Sequence, residues 1–561
     1  MGKQASFTLT VAWFQPPAER DFYEYSLAYL FTKTHYSLYG KYNNQVIWKD
    51  PIYDWYDLLS IEEAVDRFKD VDVIFFSNYV WNYSINEIAA KIIKEKYPNI
   101  KTVVGGPQLE YSREDFFDRY DMFDYHCEPT MSAELYIEDW INQYFENNQQ
   151  PDHLKISFDK RSQLRKSFNY PYVSIYKDNY NFIKKAKKYF DSKGIKSRIG
   201  YETTRGCPFK CTFCEWGGGT GTKLKKKEIE HIKEDLDVIQ SLGFEEIDLI
   251  DSNLGAFKNR DWQLLDLIHQ RGLKIMVLSL LKTKDLSVKK TIIDNLMSRG
   301  YRANLSVQTF SKTALTNAQR PDLNLEQQFE LCEYIRNRVI KEQGIDFFQR
   351  PYNKIKEIAS VEFIMGMPGS TKEDFYAEFA MMELLMSWND GRFEYSYLPY
   401  TIASSEEDKS KFGVNLVPVY TESIFNTKNY FQTISYCYSY SLKDMYEMYL
   451  INQAGTILRK DFYDDFKDFV DIVDFMKSIY EILESCPQFD YIQSQIEKFF
   501  DPTEPSDFYN LIDFDGKPKY KKSVIENFIT MNAGIIKAQL FAKFFTHHTN
   551  SSLETKSLAL V

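Results

Sequence analysis

From Phe7 to Glu146 the chain sets short apolar runs against amphipathic stretches. "FTLTVAWF" (7–14), "VDVIFFSNY" (71–79) and "KTVVGGP" (101–107) read as strands, and "SINEIAAKIIKEKYP" (84–98) as the crossover helix between the last two. This is an open α/β pattern. Residues 147–196, with "ENNQQPDH" at their start, are polar and irregular and are expected to form a linker.

The alternation resumes at about residue 197: strand "SRIGYETT", a helix near 228–241, strand "EIDLIDS", a helix at 261–271, strand "KIMVLSL" and a helix at 285–299. It continues with strand "RANLSVQTF", a helix around 325–342, strand "ASVEFIMG", a helix at 371–388 and strand "FEYSYLPY". Six strands separated by helices predict a parallel sheet with right-handed crossovers. That implies a full or partial barrel whose chemistry sits at the strand C-terminal ends. Beyond about residue 405 the pattern becomes mostly helical, with "VDIVDFMKSIYEIL" and "SVIENFITMNAGIIKAQLFAKFF" as its clearest amphipathic runs, and the tail from His547 is expected to be disordered. The expected divisions are therefore 1–146, 147–196, 197–405, 406–546 and 547–561.

A chain of 561 residues exceeds one ordinary core. Its formal charge of -11 argues against nucleic acid as a partner held by charge alone. The first residues lack the charged-then-apolar pattern of an export signal, and no run approaches 18 consecutive apolar residues, so the expectation is a cytoplasmic protein with no membrane partner. Met1 to Ser6 fit the loose myristoylation pattern, which short sequences often match by chance.

Three of the seven cysteines, Cys207, Cys211 and Cys214, fall in "RGCPFKCTFCEWGGG". Their C-x3-C-x2-C spacing follows the first strand of the second alternating region directly. Structural zinc normally takes four Cys or His ligands, and no second pair lies suitably placed. Three thiolates can instead hold an iron-sulfur cube whose fourth iron stays open to a substrate or cofactor. Cys127, Cys332, Cys437 and Cys486 stand far apart, which suits a reducing compartment.

The cysteine array, with Phe213 before its last member, resembles the radical S-adenosylmethionine superfamily. "LSVQTFSKTAL" (305–315), "MGMPGSTKEDF" (365–375) and "SYLPYTIASSEED" (396–408) are similar to that family's later strand-end segments. The resemblance implies a 4Fe-4S cluster on Cys207, Cys211 and Cys214, S-adenosylmethionine bound at its open iron, and a 5'-deoxyadenosyl radical that abstracts hydrogen from an unactivated carbon. Many members carry Gly-Gly-Glu after the last cysteine. Here Glu215 and Trp216 precede Gly217, Gly218 and Gly219, so Trp216, Gly217 and Gly218, with Gln308 and Gly366 at strand ends, are the implied S-adenosylmethionine contacts. Asp251, Ser252 and Asn253, which close the second strand, are candidate cofactor or substrate contacts, whereas "KLKKK" (223–227) reads as a solvated face.

The N-terminal region resembles the cobalamin-binding domain of the B12-dependent branch of that superfamily, through "FFSNYVWN" (75–82), "VVGGPQ" (103–108) and "YHCEPTMSAELY" (125–136). The implied corrin-lining residues are Ser77, Tyr79, Trp81, Asn82, Gly105, Gly106, Pro107 and Gln108. In the family the third segment usually reads Gly-Glu-Gly-Glu; here Cys127 to Thr130 stand in its place. No D-x-H-x-x-G occurs, so His35 and His126 are expected to be ordinary polar residues and not cobalt ligands.

The fold class so implied is α/β: an N-terminal Rossmann-like cobalamin-binding domain, a partial (βα)6 radical-SAM barrel and a mostly helical C-terminal domain. The implied activity is methylation of an unactivated carbon of a peptide, natural product or nucleoside, with an external low-potential electron donor such as flavodoxin or ferredoxin. Rearrangement, cyclisation or oxidation with the same cofactors is the alternative within the enzyme class. A non-catalytic electron-transfer or sensory iron-sulfur protein is the alternative outside it.

Overall fold

The computed structural model describes residues 7–17, 27–106 except 80, 116–127, 133–151 except 148, 170–195 except 172, 198–214, and 222–343 except 278, 302 and 321. It further describes 359–377 except 365, 411–422, 425, 428–451 except 442, 445, 446 and 449, then 454, 472–499 and 524–557. The chain divides into two compact units. One is Met1–Asn304 with Thr401–Ala403 and Glu422–Tyr430; the other is Leu305–Tyr400 with Ser404–Thr421 and Phe431–Val561.

The first unit opens with five parallel strands: β1 (Leu9–Phe14), β2 (Val46–Trp48), β3 (Val73–Ser77), β4 (Lys101–Gly105) and β5 (Tyr125–Cys127), in the spatial order β2-β1-β3-β4-β5. Every residue of β3 is buried, as expected of a central strand covered on both faces. Phe14 packs on its neighbour across the pair, with the Phe14 and Phe76 ring centres 5.3 Å apart and the rings tilted by 42°, and Trp55 and Phe68 pack against Phe14. Each such side chain contributes roughly 1.5–3 kcal/mol by leaving water. Helices Leu27–Tyr39, Tyr83–Lys96 and Ala133–Glu146 supply the covering layers, and bury Tyr29, Leu30, Phe31, Ile85, Ile93, Trp140 and Ile141.

The expected irregular linker contains a helix, Tyr180–Ser192, that buries Phe182, Ile183, Ala186 and Phe190. The spacing of those four is helical; the density of lysines between them hides it, because an amphipathic helix with one narrow apolar stripe has polar average composition. The helix leads into β6 (Ile199–Tyr201) and a two-residue strand β7 (Thr204–Arg205), which pairs antiparallel with β8 (Lys225–Lys226). Strands β9 (Glu246–Leu249) and β10 (Lys274–Val277) then join β6 in a parallel sheet of order β10-β9-β6. Helices Ile229–Ser241, Lys258–Gln270 and Leu286–Met297 follow β8, β9 and β10 in the order that the hydrophobic periodicity predicts.

In the second unit β11 (Ala303–Gln308), whose first two residues still belong to the first unit, pairs with β12 (Ala359–Phe363), and helix Leu325–Gln343 lies between them in sequence. Residues 378–388 of the expected fifth helix and the expected sixth strand at 393–400 lie outside the described residues. The region beyond 405 departs from a mostly helical expectation. β13 (Asn415–Glu422) and β14 (Lys428–Tyr436) form a two-stranded sheet before helices Ile472–Glu484, Phe489–Phe499 and Val524–Ser557. "NLVPVYTE" and "KNYFQTISY" are rich in β-branched and aromatic residues, which favour a pleated surface. The last helix runs to Ser557, past His547 where disorder is expected; that stretch lacks Gly and Pro, and Leu553, Glu554 and Lys556 are good helix formers. Among the described residues, no helix is long and apolar enough to cross a membrane.

Candidate functional site

The cysteine loop is closed at its base by the β7–β8 pair, in which Thr204 opposes Lys226 and Arg205 opposes Lys225. Gly206 follows at a φ of 97°, a conformation that side chains resist and glycine tolerates. Across the pair, Thr222 N–H donates to the Cys207 carbonyl at 2.8 Å and the Cys207 N–H donates to Thr222 Oγ1 at 3.3 Å. Within the loop, Cys214 N–H donates to the Cys211 carbonyl at 3.0 Å. Cys207 and Cys211 are buried and Cys214 is half-buried.

Three consecutive residues just beyond β9, Asp251 to Asn253, brace this loop in succession. The Asp251 carboxylate accepts from Thr203 N–H at 2.6 Å and Thr204 N–H at 2.8 Å, and also from the Thr203 hydroxyl. Ser252 Oγ donates to the Gly206 carbonyl. Asn253 Nδ2 donates to Cys207 Sγ at 3.3 Å and to Ser252 Oγ at 2.9 Å. All three are buried. Asp251 and Ser252 therefore spend their hydrogen bonds on the loop's own backbone, a role that the spacing of the sequence alone does not reveal. The three thiols supply the donor chemistry of a cube with one open iron. In this structure, among the described residues, no three Cys, His, Asp or Glu side chains are gathered closely enough to hold a metal, so the fit rests on the donor set and on the braced loop.

"KLKKK" departs from a solvated face at its last residue. Lys227 is buried, ion-pairs with Asp235 at 2.6 Å, and lies 5.3 Å from the ring centres of both Tyr170 and Tyr201. Beside it, Arg205 donates from Nη1 to Glu134 Oε1 and from Nε to Glu202 Oε1, both at 2.8 Å, with its guanidinium 4.7 Å from the Phe31 ring centre. Tyr170 donates to Glu202 at 3.0 Å. Burial raises the Glu202 carboxyl above its ordinary value, against the lowering effect of the Arg205 charge and hydrogen bond. No motif announces this cluster. The only signal in the sequence is a set of charged residues beside strand ends.

At the C-terminal edge of the N-terminal sheet, Ser77 accepts from Trp13 Nε1 at 3.0 Å. Asn78 N–H donates to the Gly105 carbonyl at 2.7 Å. Gly106 (φ 103°) comes so close that a Cβ there would lie 2.1 Å from the Asn78 carbonyl oxygen, so the second glycine serves the approach of two chain segments. Asn82 Oδ1 accepts from Tyr79 N–H at 2.9 Å, and the rings of Tyr79 and Trp81 stack at 4.6 Å. Asn86 Nδ2 donates to the Ser77 carbonyl at 2.9 Å and to Asn78 Oδ1 at 2.5 Å. Asn78 Nδ2 and Asn86 Oδ1 are buried without a hydrogen-bond partner, an arrangement that costs about 1–3 kcal/mol per atom until a polar group arrives. A polar ligand edge fits there. Asn78 lies in the segment 75–82 that carries the resemblance but is not among the implied corrin-lining side chains, and Asn86 falls in the expected crossover helix. Pro107 and Gln108 lie outside the described residues.

His35 Nε2 contacts Glu138 at 2.7 Å, and His126, which lies opposite Val104 in the sheet, has its ring 4.7 Å from that of Phe116.

In the second unit, Gln308 ends β11 with a φ of 73°, is buried, and leaves its Oε1 without a partner. Its carbonyl accepts from Ile364 N–H at 2.7 Å, which holds the ends of β11 and β12 together. The Gly366 carbonyl accepts from Tyr440 Oη at 2.5 Å, and Gly369 N–H donates to Ser439 Oγ at 3.0 Å. Gln308 and Gly366 thus share one loop cluster, clasped by residues from beyond 405 that sequence reading left without a role. Trp216, Gly217 and Gly218 lie outside the described residues.

No family model matches the chain. It is similar to the cobalamin-dependent radical SAM methyltransferase TokK of Streptomyces tokunonensis, 22% identical over 381 residues that cover 64% of this chain and 52% of TokK. It is also similar to 2-(S-pantetheinyl)-carbapenam-3-carboxylate methyltransferase of Streptantibioticus cattleyicolor, 24% identical over 384 residues, with the same two coverages of 64% and 52%. The chain spans about half the length of the curated relatives it matches. Among solved structures it is similar to the radical S-adenosylmethionine methyltransferase TsrM from Kitasatospora setae with tryptophan substrate and a SAM analogue bound. That likeness has a TM-score of 0.52 at 14% identity, and covers 79% of this chain and 89% of TsrM. The cobalamin-dependent S-adenosylmethionine radical enzyme OxsB, with aqua-cobalamin and S-adenosylmethionine bound, gives a TM-score of 0.51 at 12% identity, and covers 98% of this chain and 81% of OxsB. At such identities these structures speak for the fold.

Proposed function

From the premise that this chain is related to the cobalamin-dependent radical S-adenosylmethionine enzymes, we propose that it methylates an unactivated carbon of a small molecule. The observation that carries the proposal is the braced loop of Cys207, Cys211 and Cys214 that follows β7. The names of the curated relatives, both methyltransferases, support methyl transfer over rearrangement or oxidation. When bound, the 4Fe-4S cluster, S-adenosylmethionine and cobalamin would supply the electron, the 5'-deoxyadenosyl radical and the methyl group.

The residues of the chain hold and orient. Cys207, Cys211 and Cys214 would ligate the cluster, and the Asn253 amide would donate to the first of these sulfurs. Trp216, Gly217 and Gly218 are the proposed backbone contacts of the methionyl group. Gln308 offers a buried acceptor to a ligand N–H or O–H, and Gly366 a backbone contact. Ser77, Tyr79, Trp81, Asn82, Gly105, Gly106, Pro107 and Gln108 would line the corrinoid, with Asn78 Nδ2 as a further donor. An external low-potential protein such as a flavodoxin or ferredoxin would deliver the electron. We retain 1–146, 197–405 and 406–546 as the functional divisions.

The test is product accounting. Anaerobic incubation with a low-potential reductant, cobalamin and S-adenosylmethionine labelled on its methyl group, together with candidate small molecules, should consume two S-adenosylmethionine molecules per methylated product. One should become 5'-deoxyadenosine and the other S-adenosylhomocysteine. Productive turnover that yields 5'-deoxyadenosine without S-adenosylhomocysteine would overturn methyl transfer and leave rearrangement or oxidation.

A further inference from the structure

We infer that Arg205 is a positioning residue that couples the cysteine loop to the ligand edge of the N-terminal sheet, so that cluster loading and corrinoid binding depend on one another. The inference rests on the cofactor reading above. Arg205 stands one glycine before Cys207, and its backbone is fixed on both sides: it pairs with Lys225 across β7–β8, and the preceding Thr204 is held by Asp251. Its side chain leaves that loop and reaches Glu134, in the first turn of helix Ala133–Glu146. This helix departs from the same edge of the sheet at which Ser77, Gly105 and Cys127 lie in register, and Tyr136 of its next residues donates to the His126 carbonyl in β5.

The path from Cys207 to the sheet edge is therefore short and made of stiff parts: Gly206, the Arg205 guanidinium, the Glu134 carboxylate, and one helical turn tied to β5. Side-chain exposures of 11% for Arg205 and 5% for Glu134 take the pair out of solvent screening. The second carboxylate, Glu202, holds the Nε side of the same guanidinium, and Phe31 packs against its face, so the fork has one orientation in which both carboxylates are served. A lysine, with a single point charge, would serve the two carboxylates only in part. Whatever fixes the loop fixes the first turn of the helix, and linkage requires the effect to be reciprocal.

The experiment uses the full chain under anaerobic conditions and titrates hydroxocobalamin by its visible absorption, before and after reconstitution with iron and sulfide. In the wild type, cluster loading should tighten hydroxocobalamin binding about fivefold or more, the lower range of ordinary coupling between sites. Arg205→Met should bring that factor close to one while iron and hydroxocobalamin each still bind. Because Arg205→Met leaves two buried carboxylates without a cation, Arg205→Gln with Glu134→Gln, which keeps the net charge of the cluster and leaves Glu202 with Tyr170 as its donor, is measured beside it, and should fold and show the same loss of coupling. Arg205→Lys should restore part of the factor. A factor that persists in the folded double variant, or that is absent from the wild type although both cofactors bind, overturns the coupling alone. A wild type that binds no hydroxocobalamin in either state overturns the corrinoid reading together with it.

Discussion

The cysteine loop and the C-terminal edge of the N-terminal sheet belong to the same compact unit, yet they differ in how far their polar atoms are paired. Around the loop, Asp251, Ser252 and Asn253 satisfy backbone and sulfur groups one after another, and Gly206 takes the φ that a side chain would resist. At the sheet edge, Asn78 Nδ2 and Asn86 Oδ1 stay buried and unpaired. The loop is a braced scaffold in which one atom of these three side chains, Asn253 Oδ1, stays buried without a partner. The edge is an incomplete hydrogen-bonding network that a polar ligand would complete.

The comparison breaks most completely at the thiols. Alanine at Cys207, Cys211 or Cys214 should abolish iron and sulfide uptake by the reconstituted chain, measured as iron per chain and as broad visible absorption. Full loading of the triple variant, or stoichiometric zinc without sulfide in the wild type, would remove the cluster from the picture.

Asp251→Ala should be next in size. It strands two buried N–H donors and should lower stability by about 3 kcal/mol or more, read from denaturant unfolding. An unfolding midpoint equal to the wild type would mean that the loop is not braced from β9.

Asn78→Leu probes the sheet edge. The substitution keeps the side-chain size and removes the unpaired donor together with the acceptor of Asn86 Nδ2, which keeps its bond to the Ser77 carbonyl, so it should cost about 1 kcal/mol. Corrinoid affinity should fall about three- to tenfold, as expected for one lost hydrogen bond near 1 kcal/mol. An unchanged affinity would show that the unpaired amide faces no ligand.

The smallest effect is expected from Glu202→Gln, which preserves acceptors for Arg205 and Tyr170. Burial raises the Glu202 carboxyl, so the folded chain holds that proton more tightly than the unfolded chain. The resulting stability is present at low pH, and is lost as pH rises from the ordinary glutamate pKa through the raised one. The variant should lack this slope, and should gain stability relative to the wild type across that window. Parallel stability curves for the two proteins would contradict the raised carboxyl.

Much of the framework is legible from pattern. Near-continuous apolar runs announced β1, β3 and β4, and regular strand–helix alternation announced β6, β9, β10, β11 and β12, because burial on both faces leaves a strong signature. The helix Tyr180–Ser192 was hidden by its lysines, and β13 with β14 by the helical tone of their surroundings. In both cases local spacing, not average composition, carries the information.

The sequence by itself determined the chemistry available: three thiols in one short loop, the glycines beside them, and the order of strands that places the loop at a strand end. These are properties of neighbours along the chain. Only the tertiary structure decided which polar groups are spent and which remain. Asp251 and Ser252 serve the loop from residues more than 40 positions away, Arg205 reaches Glu134 across a sequence separation of 71, and Lys227 is buried within a run that reads as solvated. Hydrogen bonds and ion pairs of that kind depend on positions in space, and their worth depends on burial, which no spacing along a sequence encodes.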